Sequence, residues 1–390
     1  MPASSSAKPK KNGAQRRAEI VGWGMYAPTR VVSNDDLARV VDTSDEWIRS
    51  RTGIVNRHLA GPHETTAQMA IEAARAALRL ADEDPHHIDL IIVGTATPDY
   101  LLASTACQVQ NALGATHAGA FDLSAGCSGF VYALVSGQQA IASGECNLVL
   151  VIGADTLSRT VDWKDRGTCV LFGDGAGAVL LRAAQDSGGI LASVLGADGS
   201  GSELIFIPAG GSAIPPSAET YQQGLHYLKM NGSEVYRFAT RVMAEASESV
   251  IKKAGLKTRD IKLIIPHQAN LRIIESAAKR MRLPLERFAI NLQEYGNTSA
   301  ASIPIALCEA VTAGRVQPGD NLVLVGFGAG LTWAAAVVQW SAIPGRVRPT
   351  YRTWWRWLIY ASARLRSQAR HMTIQSIRRL DKRAQNRDRS

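Results

Sequence analysis

Asn147-Leu-Val-Leu-Val-Ile-Gly153 and Asn321-Leu-Val-Leu-Val-Gly326 are near-copies of one apolar run, 174 residues apart in a chain of 390. Neither run alternates apolar with polar residues. A strand with one wet face alternates, whereas a strand covered on both faces by helices reads as continuous Leu, Val and Ile. Upstream of each lies a second such run, Asp89-Leu-Ile-Ile-Val93 and Lys262-Leu-Ile-Ile-Pro266, 173 residues apart. The two landmarks are 58 residues apart in the first half and 59 in the second. That spacing predicts an α/β protein built from a duplicated β/α unit. Between the strands the period becomes helical: residues 65–81 bring Ala67, Ala70, Ile71, Ala74, Leu78 and Ala81 onto one face. Segments 127–143, 235–254, 269–281 and 300–313 also read as helices. Cys169–Leu181 reads as two strand segments around a glycine-rich turn, and 331–340 as a further strand.

Composition narrows the class. With 46% hydrophobic and 20% charged residues the chain can bury a core, so it is neither collagen-like nor disordered. No eighteen-residue apolar run predicts a membrane-spanning helix. The first twenty residues are polar and basic, unlike a secretory signal. Five scattered cysteines without a C-x-x-C pair give neither a disulfide framework nor a zinc site. A cytoplasmic protein with reduced thiols and no metal fits. The net charge of +9 divides unevenly: +4 falls on residues 1–19 and +11 on 344–390, which leaves −6 on the body. A basic total would ordinarily raise nucleic acid as a partner; here the basicity belongs to the tails, and no nucleic acid is expected. The expected divisions are a disordered leader over 1–18, halves over 19–185 and 186–343, and a basic tail over 344–390.

The glycine clusters Gly173-Asp-Gly-Ala-Gly177 and Gly326-Phe-Gly-Ala-Gly330 are followed by β-type runs, not by the helix a dinucleotide site requires. Close backbone packing explains them better. His86 and His87 read as solvated loop residues, and Cys107, Cys146, Cys169 and Cys308 as buried small hydrophobes. Cys127 stands apart, in Asp122-Leu-Ser-Ala-Gly-Cys-Ser-Gly-Phe130, just before a helix. The dipole and free N–H groups of a helix start stabilise a thiolate. A lone cysteine in such a context is more often structural, so the reading depends on partners. His267 stands at the C-terminal tip of a strand in Pro-His-Gln-Ala-Asn270. Asn297 lies in Tyr295-Gly-Asn-Thr-Ser-Ala-Ala-Ser302, before a helix, where an N-cap is the plain alternative. Subtracting the repeat offset from Asn297 reaches 123–124, beside Cys127. The two residues therefore occupy related places in the two halves.

Taken together these residues resemble the 3-oxoacyl-[acyl-carrier-protein] synthase III family, the initiating ketosynthases of type II fatty-acid synthesis within the thiolase-like superfamily. The likeness runs from about Ile20 to Trp340. It includes Asp42-Thr-Ser-Asp-Glu-Trp-Ile48, Arg51-Thr-Gly53, Ala106-Cys-Gln-Val-Gln110, Asp165-Arg-Gly167, Phe172-Gly-Asp-Gly-Ala-Gly177, His267-Gln-Ala-Asn-Leu-Arg272 and Gly296-Asn-Thr-Ser-Ala-Ala-Ser302. The resemblance implies a five-layered α-β-α-β-α fold and a homodimer. It implies that Cys127 is acylated by an acyl-CoA, and that His267 and Asn297 assist decarboxylation of malonyl-acyl-carrier-protein. The backbone N–H groups of Cys127 and Ala329 would form the oxyanion hole. Trp47 and Arg166, with Arg51 nearby, would clamp the CoA adenine, Asn270 would line the pantetheine tunnel, and Arg272 would meet the carrier protein. No cofactor is implied. The Tyr100–Ser104 segment departs from the family by carrying Leu102-Ala103 where many relatives have Phe-Pro. Because this segment would help close the partner's acyl pocket, Leu102 leaves the primer length open.

Family members usually end near residue 340, and the tail is a second departure. Over 350–380 it places Tyr351, Trp354, Leu358, Ala361, Leu365, Ala369 and Met372 at spacings of three and four, among several arginines. That pattern predicts a basic amphipathic helix lying on a membrane surface. A helix folded back on the acidic body and a carrier-protein docking arm are the alternatives. For the whole chain, the alternatives are a relative in secondary metabolism using another acceptor, and an inactive scaffold.

Overall fold

The computed structural model describes residues 16–184, 188–341, 358–363, 365 and 366. The first half contributes β1 (Ala18–Tyr26), α1 (Thr66–Ala81), β2 (Leu90–Gly94), α2 (Thr105–Leu113), β3 (Gly119–Leu123), α3 (Gly129–Ala142), β4 (Leu148–Thr156) and β5 (Asp174–Ala183). The second contributes β6 (Gly189–Ala197), α4 (Gly232–Lys253), β7 (Ile261–Pro266), α5 (Leu271–Met281), α6 (Ser302–Thr312), β8 (Asn321–Gly328) and β9 (Thr332–Gln339).

The first sheet runs β1-β5-β4-β2-β3, and the second, read in the same direction, runs β6-β9-β8-β7. In both, each of the first three strands is antiparallel to its neighbour, and the long apolar strand is then parallel to the strand beyond it. The second half lacks a full counterpart of β3. A single parallel bridge from Ile264 to Phe288 stands in that place. Helices α3 and α6 lie between the sheets, α1 and α2 cover the outer face of the first, and α4 and α5 cover the outer face of the second. This is the five-layered, thiolase-like α/β arrangement. Every residue of β4 is buried, which is why its sequence does not alternate.

Two details correct the sequence reading. Strand β1 begins at Ala18, which pairs with Ala183 and donates its N–H to Gln138 (2.8 Å); the leader therefore ends before residue 18. The glycines from Gly173 to Gly177 turn nothing: β5 runs straight through from Asp174. They clear space for the central layer, since a Cβ on Gly177 would lie 2.6 Å from the Pro304 side chain.

Most of the predicted tail helix falls outside the described residues. Residues 358–363 are helical and rest on the outer surface of α1 and α2. Ile359 fills the space beside Gly114, within 2.8 Å of where a side chain there would begin. The Arg75 guanidinium lies 4.9 Å from the Tyr360 ring centroid, and Ala363 is buried. The docked face is thus Ile359, Tyr360 and Ala363. Of the predicted stripe, Leu365 is 65% exposed, while Leu358 and Ala361 are half-buried, as Ile359 and Tyr360 are. At about 100° per residue the two sets lie roughly half a turn apart.

Candidate active site

The two halves meet at two short 3₁₀ turns, Gly126–Ser128 ahead of α3 and Ser299–Ala301 ahead of α6. The repeat offset superposes Gly126 on Ser299, and both have left-handed backbones, with φ of +52° and +50°. Glycine adopts that conformation freely, but serine does so under strain. The sharp turn at Gly126 presents Cys127 to the cavity between the halves. A Cβ on Gly328 would lie 2.3 Å from the Cys127 nitrogen, and one on Gly126 would lie 2.6 Å from the Ala329 nitrogen. Two missing side chains therefore bring these two amides to one spot beside the sulfur.

His267 follows directly on β7, and its N–H donates to Val325 (2.8 Å). Its ring is buried, edge-on to Phe327, with Nδ1 2.7 Å from the Ser302 hydroxyl. Burial lowers its pKa from 6.5 to about 3, so the imidazole is neutral. The Ser302 oxygen also accepts the Gln268 N–H (3.4 Å), and we assign the Ser302 proton to Nδ1. That assignment puts the ring proton on Nε2. Asn297 is pinned through its backbone, its N–H to Leu171 (2.8 Å) and its carbonyl to Gly173 (3.0 Å). Its Oδ1 accepts the Ser299 N–H (2.8 Å), and among the described residues its Nδ2 has no partner. The N-cap alternative therefore does not describe Asn297: Thr298 is the cap of the Ser299–Ala301 turn, and α6 starts after it.

Cys127, His267 and Asn297 line one cavity of about 300 Å³, walled by Val170, Leu171, Phe172, Ile205, Phe327 and Leu331. The electrostatics of the thiol differ from the sequence expectation. Burial, not the helix start, dominates, and pushes the Cys127 thiol up to about 12; the Ser299 hydroxyl (3.4 Å) and the residue's own N–H oppose it.

Trp47, Arg51 and Asn270 stand at the mouth of the cavity. The Arg51 and Arg166 guanidinium carbons lie 4.8 and 5.3 Å from the Trp47 ring centroid. Both cations thus stack on the one indole. Arg166 also bonds the Asp42 carbonyl and carboxylate across an exposed surface. Asn270 lines the cavity with its polar atoms already engaged: Oδ1 caps α5 through the Arg272 N–H (2.9 Å), and Nδ2 donates to the Arg51 carbonyl (3.0 Å). Arg272 is exposed beside Tyr236, at 5.6 Å from its ring. Leu102 lies elsewhere: it is 98% exposed, next to exposed Tyr100 and Leu101, and does not line this chain's cavity. Cys107 is exposed, contrary to expectation, because α2 carries it outward beside β3, while Cys169 and Cys308 are buried and Cys146 half-buried. Sequence reasoning missed Ser299, Ser302 and Asp155, three polar residues packed directly behind the sulfur and the imidazole. The offset of 173 that superposes Gly126 on Ser299 would have found the first of them.

Residues 121–199 match the 3-oxoacyl-[acyl-carrier-protein (ACP)] synthase III family, and residues 251–340 match its C-terminal family. A beta-ketoacyl-[acyl-carrier-protein] synthase III of Symbiobacterium thermophilum is 55% identical over 326 residues, which cover 84% of this chain and 99% of that protein. The chain belongs to the 3-oxoacyl-[acyl-carrier-protein] synthase III family. The crystal structure of the Aquifex aeolicus synthase III aligns over 83% of this chain and all of that one, with TM-score 0.77 and 47% identity. A priming beta-ketosynthase from the R1128 polyketide pathway aligns over 87% of this chain and all of that one, with TM-score 0.79 and 34% identity. The synthase III fold thus accounts for both sheets, the central helices and the cavity.

Proposed function

We propose that this synthase III condenses an acyl-CoA primer with malonyl-acyl-carrier-protein through an acyl-Cys127 intermediate. The observation that carries the reading is the convergence of one buried thiol with two neutral side-chain donors in an apolar cavity. Cys127 attacks the primer thioester, and the tetrahedral oxyanion is met by the amides of Cys127 and Ala329. CoA leaves, and malonyl-carrier-protein enters. Nε2–H of His267 and Nδ2 of Asn297 donate to its thioester oxygen as CO₂ departs, where enolate charge develops. Preorganised neutral donors suit that role, since they stabilise new negative charge without first neutralising a carboxylate. The carbanion then attacks acyl-Cys127 and releases 3-oxoacyl-carrier-protein.

The test is intact-protein mass spectrometry of the enzyme mixed with straight, branched, short and long acyl-CoAs and then chased with malonyl-carrier-protein. An adduct that the chase discharges is the expected result, and its mass names the primer. An adduct that persists through the chase favours the alternative with another acceptor.

Trp47 and Arg166 hold the CoA adenine in this reading. Aromatic partners stack at about 4.5–7 Å, so a ring entering between them displaces Arg166 from Asp42, a weak exposed pair. Trp47→Ala is expected to raise KM for acyl-CoA about ten-fold or more while kcat changes little, as lost ground-state stacking requires. Steady-state kinetics at saturating malonyl-carrier-protein reads this, and an unchanged KM refutes the clamp. Arg272, exposed on the same side, contacts the carrier protein.

The homodimer also belongs to this proposal. The Tyr100–Leu102 loop, 64%, 89% and 98% exposed, offers a large apolar surface next to Cys107 and the edge strand β3. Exposed apolar surface of this kind marks an interface. Leu102 would close the partner's acyl pocket.

The tail supports peripheral membrane contact in a protein that otherwise stays in the cytoplasm. With Ile359, Tyr360 and Ala363 packed on the body, Leu365 stands exposed on the other side of the helix, within a segment carrying +11. Anionic lipid attracts such a face. Full-length protein is expected to co-sediment with phosphatidylserine-containing liposomes, and a 1–343 truncation is not; equal pelleting of the two refutes the contact.

A further inference from the structure

We propose that Ser299 and Asp155 form a proton relay that takes the Cys127 proton on acylation and returns it when the acyl group leaves. This rests on Cys127 being the acylated nucleophile.

The thiol needs a base. It is buried, and His267 is neutral with its proton on Nε2, so neither the solvent nor that ring holds the vacancy the thiol proton requires. Directly behind the sulfur is Asp155, near the end of β4, with no exposed surface. Its Oδ1 accepts from Thr95 Oγ1 (3.0 Å), Ala96 N–H (2.8 Å) and Thr97 Oγ1 (2.8 Å), and its Oδ2 accepts from Ala300 N–H (3.1 Å). Burial pushes this carboxyl up, and the Ser299 hydroxyl is the first of the groups that hold it ionised. A carboxylate caught between those influences can take a proton and give it back.

Ser299 joins the two. Its hydroxyl donates to the Cys127 sulfur (3.4 Å), the amide of the next residue, Ala300, donates to Asp155 (3.1 Å), and the Ser299 hydroxyl is among the influences that favour the Asp155 carboxylate. A serine hydroxyl carries one proton. In the arrangement shown it points to the sulfur; rotated about Cβ–Oγ toward an ionised Asp155, it leaves the Ser299 oxygen free to accept the S–H. The chain then reads S–H to O–H to carboxylate. Its left-handed backbone strengthens the case. The superposed residue in the other half is Gly126, which makes the same turn without strain, so a serine stands at a position that favours glycine.

The groups facing Asp155 are few. Cys127 is the titratable one on the opposing turn, and His267 stands across the cavity. The segment after β2 offers Thr95, Ala96 and Thr97. On β5, Asp174 is occupied by the Ala60 N–H and by Ser158.

The steps balance. The thiol proton passes to Ser299 as the Ser299 proton passes to Asp155, which leaves thiolate and carboxylic acid. The thiolate displaces CoA thiolate, which takes a proton from water. After malonyl decarboxylation the carbanion displaces Cys127 thiolate from the acyl group. Asp155 then returns its proton through Ser299. One proton is consumed from water per turnover, and the relay ends as it began.

The test uses full-length enzyme and two reagents, an acyl-CoA and iodoacetamide, with rates followed by intact mass across pH. Iodoacetamide reads the thiolate without any substrate, so the relay is judged separately from the condensation reading. Ser299→Gly removes the hydroxyl while suiting the left-handed turn, and Asp155→Asn removes the base. Both are expected to slow acylation and alkylation at neutral pH by about 10–100-fold and to move the rising limb of the pH profile upward. The double variant is expected to be no slower than either single one, because one path is lost. Folding is checked by thermal melting, and Ser299→Gly decides the matter if Asp155→Asn does not fold. A folded Ser299→Gly enzyme with the wild-type rate and pH profile overturns the relay.

Discussion

Cys127→Ser is expected to yield a folded protein that takes up no acyl group from any acyl-CoA. The substitution exchanges sulfur for oxygen at a site whose shape is set by Gly126, Gly328 and the Ser299–Ala301 turn, so the surroundings stay in place. What changes is ionisation. The thiol, already pushed up to about 12 by burial, still reaches the thiolate with help from its neighbours. An alcohol starts far above a thiol, in the same dry place, with no stronger base at hand. Losing the nucleophile of a concerted site costs on the order of 10⁴-fold or more. Intact-mass acylation under single-turnover conditions measures this directly. The same variant keeps the His267 Nε2 and Asn297 Nδ2 donors, so it is expected to retain decarboxylation of malonyl-carrier-protein while forming no condensed product. A Cys127→Ser enzyme that acylates at the wild-type rate would sink the nucleophile assignment.

The large features of the fold were legible because burial on two faces leaves a one-dimensional trace. A strand packed by helices on both sides has no polar position to spare, and β4 and β8 print that condition as Leu-Val-Leu-Val. The repeat offset placed Cys127 and Asn297 opposite each other before any contact was known. Short elements were harder. Strand β3 has only partly buried or exposed residues and left no run to find. The glycines of β5 misled because Gly-rich sequence reads as a turn, whereas here each absent side chain makes room for a neighbouring layer. The site's electrostatics were the least legible. Position at a helix start could be read from the sequence, but the burial that overrides it depends on residues more than 100 positions away, such as Phe327 and Leu331. Ser299 and Asp155 were invisible for the same reason. Neither belongs to a run, and each gains meaning only from the fold that brings it to the sulfur. In the tail, the spacing found an amphipathic pattern but not its docked side. Gly114, on another helix, supplies the vacancy that selects Ile359.

The second large effect separates the two half-reactions. His267→Ala and Asn297→Ala are each expected to acylate at near wild-type rates yet fail to discharge the acyl group against malonyl-carrier-protein. Acylation uses the sulfur, the two backbone amides and, in the relay, the Ser299 hydroxyl and Asp155; His267 is anchored outside that set, on Ser302, and Asn297 meets it only at the Ser299 backbone N–H, in a turn that the Leu171–Gly173 segment and the Ala300–Asp155 bond also hold. Decarboxylation needs donors where the enolate oxygen forms. Removing one such donor from a dry site costs about 10²–10³-fold. Because both donate to a single oxygen, the double variant is expected to fall short of the product of the two losses. The pH dependence sharpens the assignment. Burial holds His267 neutral down to about pH 3, so it does not titrate in the working range. A cationic donor would lose its proton near its ordinary pKa, and the rate would fall with rising pH. A neutral donor predicts no inflection from this residue between about pH 5 and 8. Release of labelled CO₂ from malonyl-carrier-protein, followed across that range in Cys127→Ser and in Cys127→Ser/His267→Ala, isolates the step from acylation. A flat profile that drops as a whole when His267 is removed is the expected result. A wild-type-like CO₂ rate in the double variant would show that the enolate is stabilised elsewhere in the cavity.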